Sequence, residues 1–176
     1  TFAMTEKQEK ILEAALELFA EVGYAATSTS KVAKAAGVSE GLIFRHFKNK
    51  EGLLEAIFEQ VAERTKMVFA DIVLETVPEK VIEKIVELPF TIDASEYRVW
   101  RLTYAMKWQI QNYSPEKMNP IKMAAENAFK KLGYKNPEAE SELLLMFLDG
   151  AATAILLHEP KDKAAVFMAI KSKYNL

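Results

Sequence analysis

The chain has 176 residues, a formal net charge of −2 and hydrophobic residues at half of its positions, which is enough to bury a sizeable core. The absence of cysteine excludes a disulfide framework, a thiolate nucleophile and a cysteine metal site, and the wide separation of His46 and His158 argues against a histidine metal site. No uninterrupted apolar run has the ~18–20 residues of a membrane span, and no secretory signal opens the chain. We therefore expect a cytoplasmic protein of one or two domains, without cofactor, metal or membrane contact.

The first predicted helix begins after Thr5, and Gln8 three residues later gives the spacing of a capping box. We interpret residues 1–3, which precede Met4, as a remnant of a cloning tag. Gly23 ends the helix, and Tyr24 is interpreted as a core aromatic in preference to a phosphate contact. The apolar face of this helix recurs every three or four residues, at Ile11, Leu12, Ala15, Leu18, Phe19 and Val22.

Two very short helical patterns follow, one on each side of Gly37. Ser28 or Thr29 is predicted to cap the first, and the same hydroxyl can receive a DNA phosphate, so the sequence does not separate the two uses. Gly37 is predicted to be the left-handed residue that ends this helix, and Ser39 to cap the next, about residues 40–47. Two helices joined by a tight glycine turn form a helix-turn-helix, whose second helix enters the major groove in DNA-binding versions.

The predicted helix-turn-helix is basic although the whole chain is mildly acidic. Between residues 27 and 50 a single acid, Glu40, is present. The basic residues there are Lys31, Lys34, Arg45, Lys48 and Lys50. A local excess of four positive charges is typical of a phosphate-binding surface, while a solvated helical face explains the charge alone equally well. The adjoining glycine turn favours DNA.

From Ile11 to Leu53 the chain resembles the DNA-binding domain of the tetracycline-repressor (TetR) family of bacterial transcription regulators. The matching residues keep their spacing: Ile11, Ala14, Ala15, Leu18, Phe19, Gly23, Tyr24, Thr27, Ser28, Val32, Ala33, Ala35 to Ser39, Gly41, Ile43, Phe44, His46, Phe47 and Lys50 to Leu53. The resemblance implies an all-α protein. A three-helix helix-turn-helix domain would occupy residues 4–50, and a helical effector-binding and dimerisation domain residues 51–176.

The resemblance also implies which side chains meet DNA. Ile43 and Phe47 are four residues apart and are predicted to face the core, which leaves the other side of their helix to the bases. Gly41 suits a close approach of DNA to the backbone. The family often has tyrosine where this chain has Phe44, so a phosphate hydrogen bond is lost there. The predicted DNA contacts are Ser28, Thr29, Ser30, Ser39, Glu40, Gly41, Leu42, Phe44, Arg45, His46 and Lys50.

Four of these contacts have a predicted chemistry. Glu40 can accept a hydrogen bond from a cytosine amino group, and Leu42 can touch a thymine methyl group. Lys50 matches a phosphate contact of the family at the start of the fourth helix. Arg45 is left open between a base and a phosphate.

The fourth predicted helix runs from Lys50 to about Glu75, where Pro78 breaks it. Its length suits a connection between the reading head and the rest of the chain. The tilt of this helix would set the position of the recognition helix.

Residues 79–112 predict two helices with a break near Leu88–Pro89. The second, from about Ser95, carries four large aromatic residues on one face: Tyr97, Trp100, Tyr104 and Trp108. These are interpreted either as an ordinary packed core or as the lining of a mainly apolar ligand pocket. The pocket candidates are Met67, Trp100, Tyr104, Trp108, Gln109, Met123 and Met146.

Three further helices are predicted, over about 115–131, 137–158 and 161–173. The middle one is apolar on nearly all sides and therefore needs cover on all sides. We predict that the last two helices pack on their symmetry mates as a four-helix bundle, an arrangement that the resemblance also implies. The predicted interface residues are Phe147, Gly150, Ala151, Ala154, Ile155 and Phe167.

These features predict a homodimeric transcription regulator that reads a palindromic operator in double-stranded DNA. A small apolar or amphipathic effector would release it, and repression rests on the resemblance alone. The alternative is a DNA-bound adaptor whose C-terminal domain binds a protein partner. An enzyme is not predicted, because the chain has no catalytic constellation placed by a motif, no metal spacing and no phosphate loop.

Overall fold

The computed structural model describes residues 4–107, 115–158 and 160–176. The described residues form helices and no strand, which confirms the all-α prediction. Residues 1–3 and the pocket candidates Trp108 and Gln109 lie outside this description. The helices are α1 Glu6–Glu21, α2 Thr29–Ala36, α3 Glu40–Phe47, α4 Lys50–Val73, α5 Pro78–Glu87, α6 Tyr97–Lys107, α7 Asn119–Lys131, α8 Pro137–His158 and α9 Lys163–Lys173, with 3-10 turns at Leu88–Thr91, Ala94–Glu96 and Pro115–Met118.

The chain divides into two compact units. We call Thr1–Arg64 with Arg98–Lys107 the head, and Thr65–Tyr97 with Trp108–Leu176 the body. The division falls within α4 and α6, whereas the sequence suggested a boundary at residue 50. The start of α4 and most of α6 belong to the head because their apolar side chains are buried in its core: Leu53, Leu54, Ile57, Leu102 and Met106.

In the head, α1 begins with the predicted capping box. The Gln8 amide nitrogen of the backbone donates to Thr5 Oγ1 (3.4 Å), and Thr5 N donates back to Gln8 Oε1 (2.9 Å). The apolar face of α1 then packs into the core. Tyr24 packs edge-on against Phe19, with ring centroids 5.0 Å apart, as expected of a core aromatic.

The turn between α2 and α3 has the predicted backbone, with one difference at Ser39. Gly37 is left-handed (φ 66°, ψ 34°), and Ser28 caps α2 by accepting from Lys31 N at 3.2 Å. Ser39 stands at the N-cap position of α3, but its side chain makes no capping bond. The prediction of a side-chain cap was wrong because Leu42 N, its expected donor, is bonded to the Ser39 carbonyl (3.0 Å).

Several body helices begin or end at other residues than predicted. α4 ends at Val73, two residues early, and Pro78 is the first residue of α5 and does not break α4. The chain turns between them because the Glu75 carboxylate accepts from the backbone N–H groups of Thr76 (2.9 Å) and Val77 (3.1 Å). The helix expected from Pro115 opens as a 3-10 turn, and α7 proper begins at Asn119. α9 begins at Lys163, capped by Asp162.

The core of the body unit lies among α5, α7 and α8. One face of α8 is buried there, and several large side chains of the same helix are exposed, among them Met146 at 70% and Leu157 at 64%. α9 has no buried residue between Lys163 and Lys173, although it is rich in alanine and other apolar residues. The buried body core comprises Ile72, Val81, Ile82, Ile85, Val86, Ile121, Ala125, Ala128, Phe129, Leu144, Leu148 and Tyr174.

Among the described helices, α8 is long and apolar enough to cross a membrane by length and composition. The expectation from the sequence concerned uninterrupted apolar runs, whereas mean hydropathy over 18 residues tolerates isolated charges. A third of the tested window (33%) is buried inside the protein, and core helices of soluble proteins pass the same test. A single such helix is therefore weak evidence of a membrane span.

Candidate nucleic-acid interface

Helix α3 has one edge in the core of the head and the opposite edge in solvent. Ile43 is fully buried and Phe47 is 8% exposed, as predicted from their spacing. Glu40 and Leu42 are half-buried at the rim. The exposed edge consists of Gly41, Phe44, Arg45 and His46. An eight-residue helix anchored in this way presents its outer side chains at fixed positions, as reading base edges requires.

The first residues of α2 and α3 are joined by a hydrogen bond. Thr29 Oγ1 donates to Glu40 Oε1 at 2.6 Å. A carboxylate has further acceptor capacity, so Glu40 can still accept from a cytosine amino group. Thr29 thus positions a predicted base contact, in addition to lying among the predicted DNA contacts itself.

The Lys50 ammonium lies against the turn before α2. It donates to the carbonyl oxygens of Tyr24 (3.0 Å) and Ala25 (3.5 Å) and lies 4.4 Å from the centre of the Tyr24 ring. The Tyr24 hydroxyl in turn donates to Glu51 Oε1 at 3.2 Å. Burial, and then the negative charge of Glu51, raise the pKa of Tyr24 to about 12. Lys50 therefore stabilises this turn, and its phosphate contact stays a prediction.

Beside this turn the head has an open hollow of about 470 Å³. Small side chains form much of its wall, and the ammonium groups of Lys31 and Lys50 line it, which suits the negative charge of a phosphate group. The residues lining it are Ala25, Ala26, Thr27, Ser28, Thr29, Lys31, Phe44, Asn49 and Lys50.

Five residues of this hollow are not among the predicted DNA contacts: Ala25, Ala26, Thr27, Lys31 and Asn49. Two of them carried a signal. Lys31 belongs to the basic excess, and Asn49 precedes Gly52 by three residues, the spacing of a helix cap. The alanines are ordinary in sequence and become informative only through their place in the fold.

Three cations on the head are available to an anion. Lys34, Arg45 and Lys48 are exposed and form no salt bridge with any residue that the structure describes. An exposed cation without a protein carboxylate keeps its charge available to DNA phosphates. The charge of these three residues is therefore not neutralised by salt bridges within the described part of the chain.

The junction between α3 and α4 consists of two closely spaced turns. Lys48 has φ 68° and ψ −51°, and Asn49 N donates to the Phe47 carbonyl at 2.8 Å, which makes a γ-turn with a positive φ. Asn49 Oδ1 then accepts from Gly52 N at 2.8 Å and caps α4. A Cβ atom on Gly52 would lie 1.9 Å from the Phe47 carbonyl oxygen, so only glycine fits. The end of α3 and the start of α4 are therefore held at one fixed distance.

The predicted ligand-pocket residues fall in both units. Trp100 and Tyr104 belong to the head and are half-buried. The side chains of α6 that are fully buried are those of Leu102 and Met106. The body methionines are exposed: Met67 at 78%, Met123 at 63% and Met146 at 70%. The pocket stays a prediction.

The predicted dimer residues all lie in the body unit. Gly150 is exposed, and most of the others are half-buried: Phe147, Ala151, Ala154 and Phe167. Ile155 differs, since it is only 2% exposed. Within the described ranges no group of three or more histidine, aspartate or glutamate side chains could hold a metal ion.

Comparison with known proteins finds a family similarity in this part of the chain. Residues 11–57 match the model of the bacterial regulatory proteins, tetR family. Over these residues the chain is similar to the TetR family. Several relatives that match the chain are named HTH-type transcriptional regulators.

Two relatives from Bacillus subtilis (strain 168) illustrate the extent of the similarity. The uncharacterized HTH-type transcriptional regulator YvkB is 49% identical over 57 residues, which cover 32% of this chain and 30% of YvkB. The fatty acid metabolism regulator protein is 30% identical over 116 residues, covering 65% of this chain and 60% of that protein. The chain thus matches less than two thirds of the length of these relatives.

The structural comparison extends over nearly the whole chain. The fatty acid degradation regulator FadR from Bacillus halodurans superposes with a TM-score of 0.72, covering 97% of this chain and 95% of that protein at 21% identity. At that identity the similarity establishes the fold, including the body unit.

Proposed function

We propose that this protein is a homodimeric transcription regulator of the TetR family that binds a palindromic operator in double-stranded DNA. The observation that carries the proposal is the exposed edge of α3, with Gly41, Arg45 and His46 outward and the opposite edge anchored in the core. Each protomer inserts this edge into the major groove, and two-fold symmetry matches the two half-sites. The protein acts in the cytoplasm and, by analogy with its family, as a repressor.

The dimer forms through α8 and α9. Unpartnered apolar residues on these helices support this, including Leu143 (50% exposed), Met146 and Met168 (62%). Apolar helix faces of this size are normally covered by another surface. We propose an interface of Phe147, Gly150, Ala151, Ala154 and Phe167, without Ile155, which is already buried within its own chain.

The effector is a small apolar or amphipathic molecule, and we propose an acyl compound as the class. The relative that regulates fatty acid metabolism in Bacillus subtilis supports this choice. Such an effector releases DNA only if it binds the released conformation more tightly than the DNA-bound one. Trp100 is the natural reporter, because it is a half-buried indole in the predicted pocket.

DNA binding is tested by measuring affinity for duplex DNA at several salt concentrations. We expect a steep loss, roughly a hundred-fold or more between 50 and 200 mM salt, because lysine and arginine contacts release counterions. Lys31→Ala should weaken all sequences alike, and Arg45→Ala should change the sequence selected from a random pool. An affinity independent of salt would rule out the proposed interface.

The effector is tested by titrating indole fluorescence and DNA release with acyl chains of increasing length. Parallel responses in both signals support the acyl class. The adaptor alternative is favoured by the exposed methionines Met67, Met123 and Met146, which would suit a protein surface. A regulator that binds its operator but responds to no acyl chain would move the assignment to this alternative.

A further inference from the structure

A side chain of α1 lies beside the exposed edge of α3. Gln8 Nε2 is 3.4 Å from Nδ1 of His46, across 38 residues of sequence. The other end of the same amide is already engaged, because Gln8 Oε1 accepts from Thr5 N (2.9 Å) and from Thr5 Oγ1 (3.0 Å). The capping box of α1 therefore extends to an exposed residue of the candidate DNA interface.

These contacts determine the tautomer of the neutral histidine ring, that is, which of its two nitrogens carries the proton. The two donors of Thr5 orient the Gln8 oxygen away from the ring, so the NH₂ group faces His46. An amide nitrogen can donate but cannot accept, so Nδ1 of the neutral ring must be the acceptor. The proton of a neutral imidazole is then on the other nitrogen, Nε2. That nitrogen lies across the ring from Gln8, and His46 is exposed.

Building on the proposed function, we propose that Gln8 is a positioning residue for operator recognition. It holds His46 as the Nε2–H tautomer, so that α3 presents a hydrogen-bond donor at this position. A donor selects base edges that accept in the major groove: O6 or N7 of guanine, N7 of adenine or O4 of thymine. Base preference at one operator position is therefore set partly by α1, which does not itself belong to the helix-turn-helix.

The tautomer is tested without DNA, by nitrogen NMR of the His46 ring at a pH where the ring is neutral. In the unmodified protein we expect the proton on Nε2. Gln8→Glu keeps the capping box, because glutamate is the usual third residue of that motif, but its carboxylate can only accept. We expect Nδ1 to acquire a proton in this variant. Gln60→Glu makes the same chemical change at an exposed position of α4 and should leave the ring unchanged.

The effect on recognition is tested by selecting operators with Gln8→Met, which keeps the length of the side chain without its hydrogen bonds. We expect discrimination at a single half-site position to fall by roughly ten-fold, while preferences at the other positions remain. A proton on Nδ1 in the unmodified protein, or an unchanged preference in Gln8→Met, would overturn the proposal. A protein that binds no operator would overturn the proposed function, while the NMR result would still decide the tautomer.

Discussion

The head and the body differ in what their helices leave exposed. In the head, specific contacts close the helix ends: a capping box on α1, a serine cap on α2, a left-handed Gly37 and an asparagine cap on α4. In the body, α8 exposes large apolar side chains and α9 buries none. The head thus exposes the edge of α3 that carries Arg45 and His46, while the body exposes apolar side chains.

Two short helices of the head depend on these contacts. α2 and α3 have eight residues each, too few to be stable alone, so end contacts and a buried anchor must hold them. α8 has 22 residues and satisfies most of its backbone internally, so its sequence is free to be apolar on several sides. A unit that reads DNA benefits from fixed ends, whereas a unit that associates benefits from exposed faces.

The largest expected effect separates two adjacent leucines of α8. Leu144 is fully buried and Leu143 is 50% exposed. Leu144→Ala should lower the free energy of unfolding by about 2–5 kcal/mol, because it leaves a cavity in the core. Leu143→Ala should change it by less than about 0.5 kcal/mol at low protein concentration and should weaken self-association. Denaturant unfolding and sedimentation at several concentrations measure both, and equal effects of the two variants on folding would contradict the distinction between the faces.

Two glycines of the head should respond in opposite directions. Gly52→Ala places a Cβ atom against the Phe47 carbonyl and should lower the free energy of unfolding by about 1–3 kcal/mol. Gly41→Ala meets nothing within 4 Å and should raise it by about 0.5–1 kcal/mol through helix propensity. Gly41→Ala should nevertheless weaken DNA binding if the duplex approaches this backbone. Thermal unfolding and operator affinity of both variants provide the measurement, and a stable Gly52→Ala protein would contradict the close junction.

A smaller effect should distinguish the two serines that stand at helix starts. Ser28→Ala removes a real cap and should lower the free energy of unfolding by about 1 kcal/mol. Ser39→Ala should leave stability nearly unchanged, because its side chain makes no capping bond, and any effect should appear in DNA affinity. Chemical denaturation of the two variants side by side tests this; a full cap penalty at Ser39 would mean that its hydroxyl does bond to the start of α3 in solution.

Extremes of pH should destabilise the two units at opposite ends of the pH scale. The pKa of Tyr24 in the head is raised from 10.0 to about 12, so its contribution is present below pH 10 and is lost as pH rises toward 12. In the body, the N–H of Val77 and the ammonium of Lys84 lower the pKa of Glu75 from 4.5 to about 2, so its contribution is present above pH 4.5 and is lost toward pH 2. Tyr24→Phe should remove the alkaline step and Glu75→Gln the acid step in pH-dependent unfolding. The same pH profile in a variant and in the unmodified protein would rule out that residue as the cause.

The sequence was most informative where structure depends on near neighbours. The capping box at Thr5 and Gln8, the left-handed Gly37 and the bounds of α3 all follow from contacts within four residues. The pairs Thr29–Glu40 and Lys50–Tyr24 span 11 and 26 residues and depend on how helices pack, so no local pattern indicates them. Ser39 shows that a local pattern can also mislead. The backbone N–H of Leu42, which the Ser39 hydroxyl was expected to bind, donates to the Ser39 carbonyl instead.

In the body the sequence predicted the bounds of α8 but not which of its apolar residues would be buried. Leu143 and Leu144 are identical in type and adjacent, and only the packing of α7 against α8 distinguishes them. The same holds for Ile155, which was assigned to a partner surface and is buried within its own chain. For the exposed edge of α3, residue spacing was sufficient, because Ile43 and Phe47 anchor one side of a short helix and leave the opposite side in solvent.

The γ-turn at Lys48 makes the connection between α3 and α4 short and conformationally constrained. Lys48 has a constrained backbone, and Gly52 lies where a Cβ atom would collide with the Phe47 carbonyl, so this junction has little room for a rotation of one helix relative to the other. Within the head, the first turns of α4 consequently determine the orientation of α3, and with it the angle at which α3 would meet a duplex. Substitutions that reorient those turns, at positions that never touch a nucleotide, would retune operator affinity.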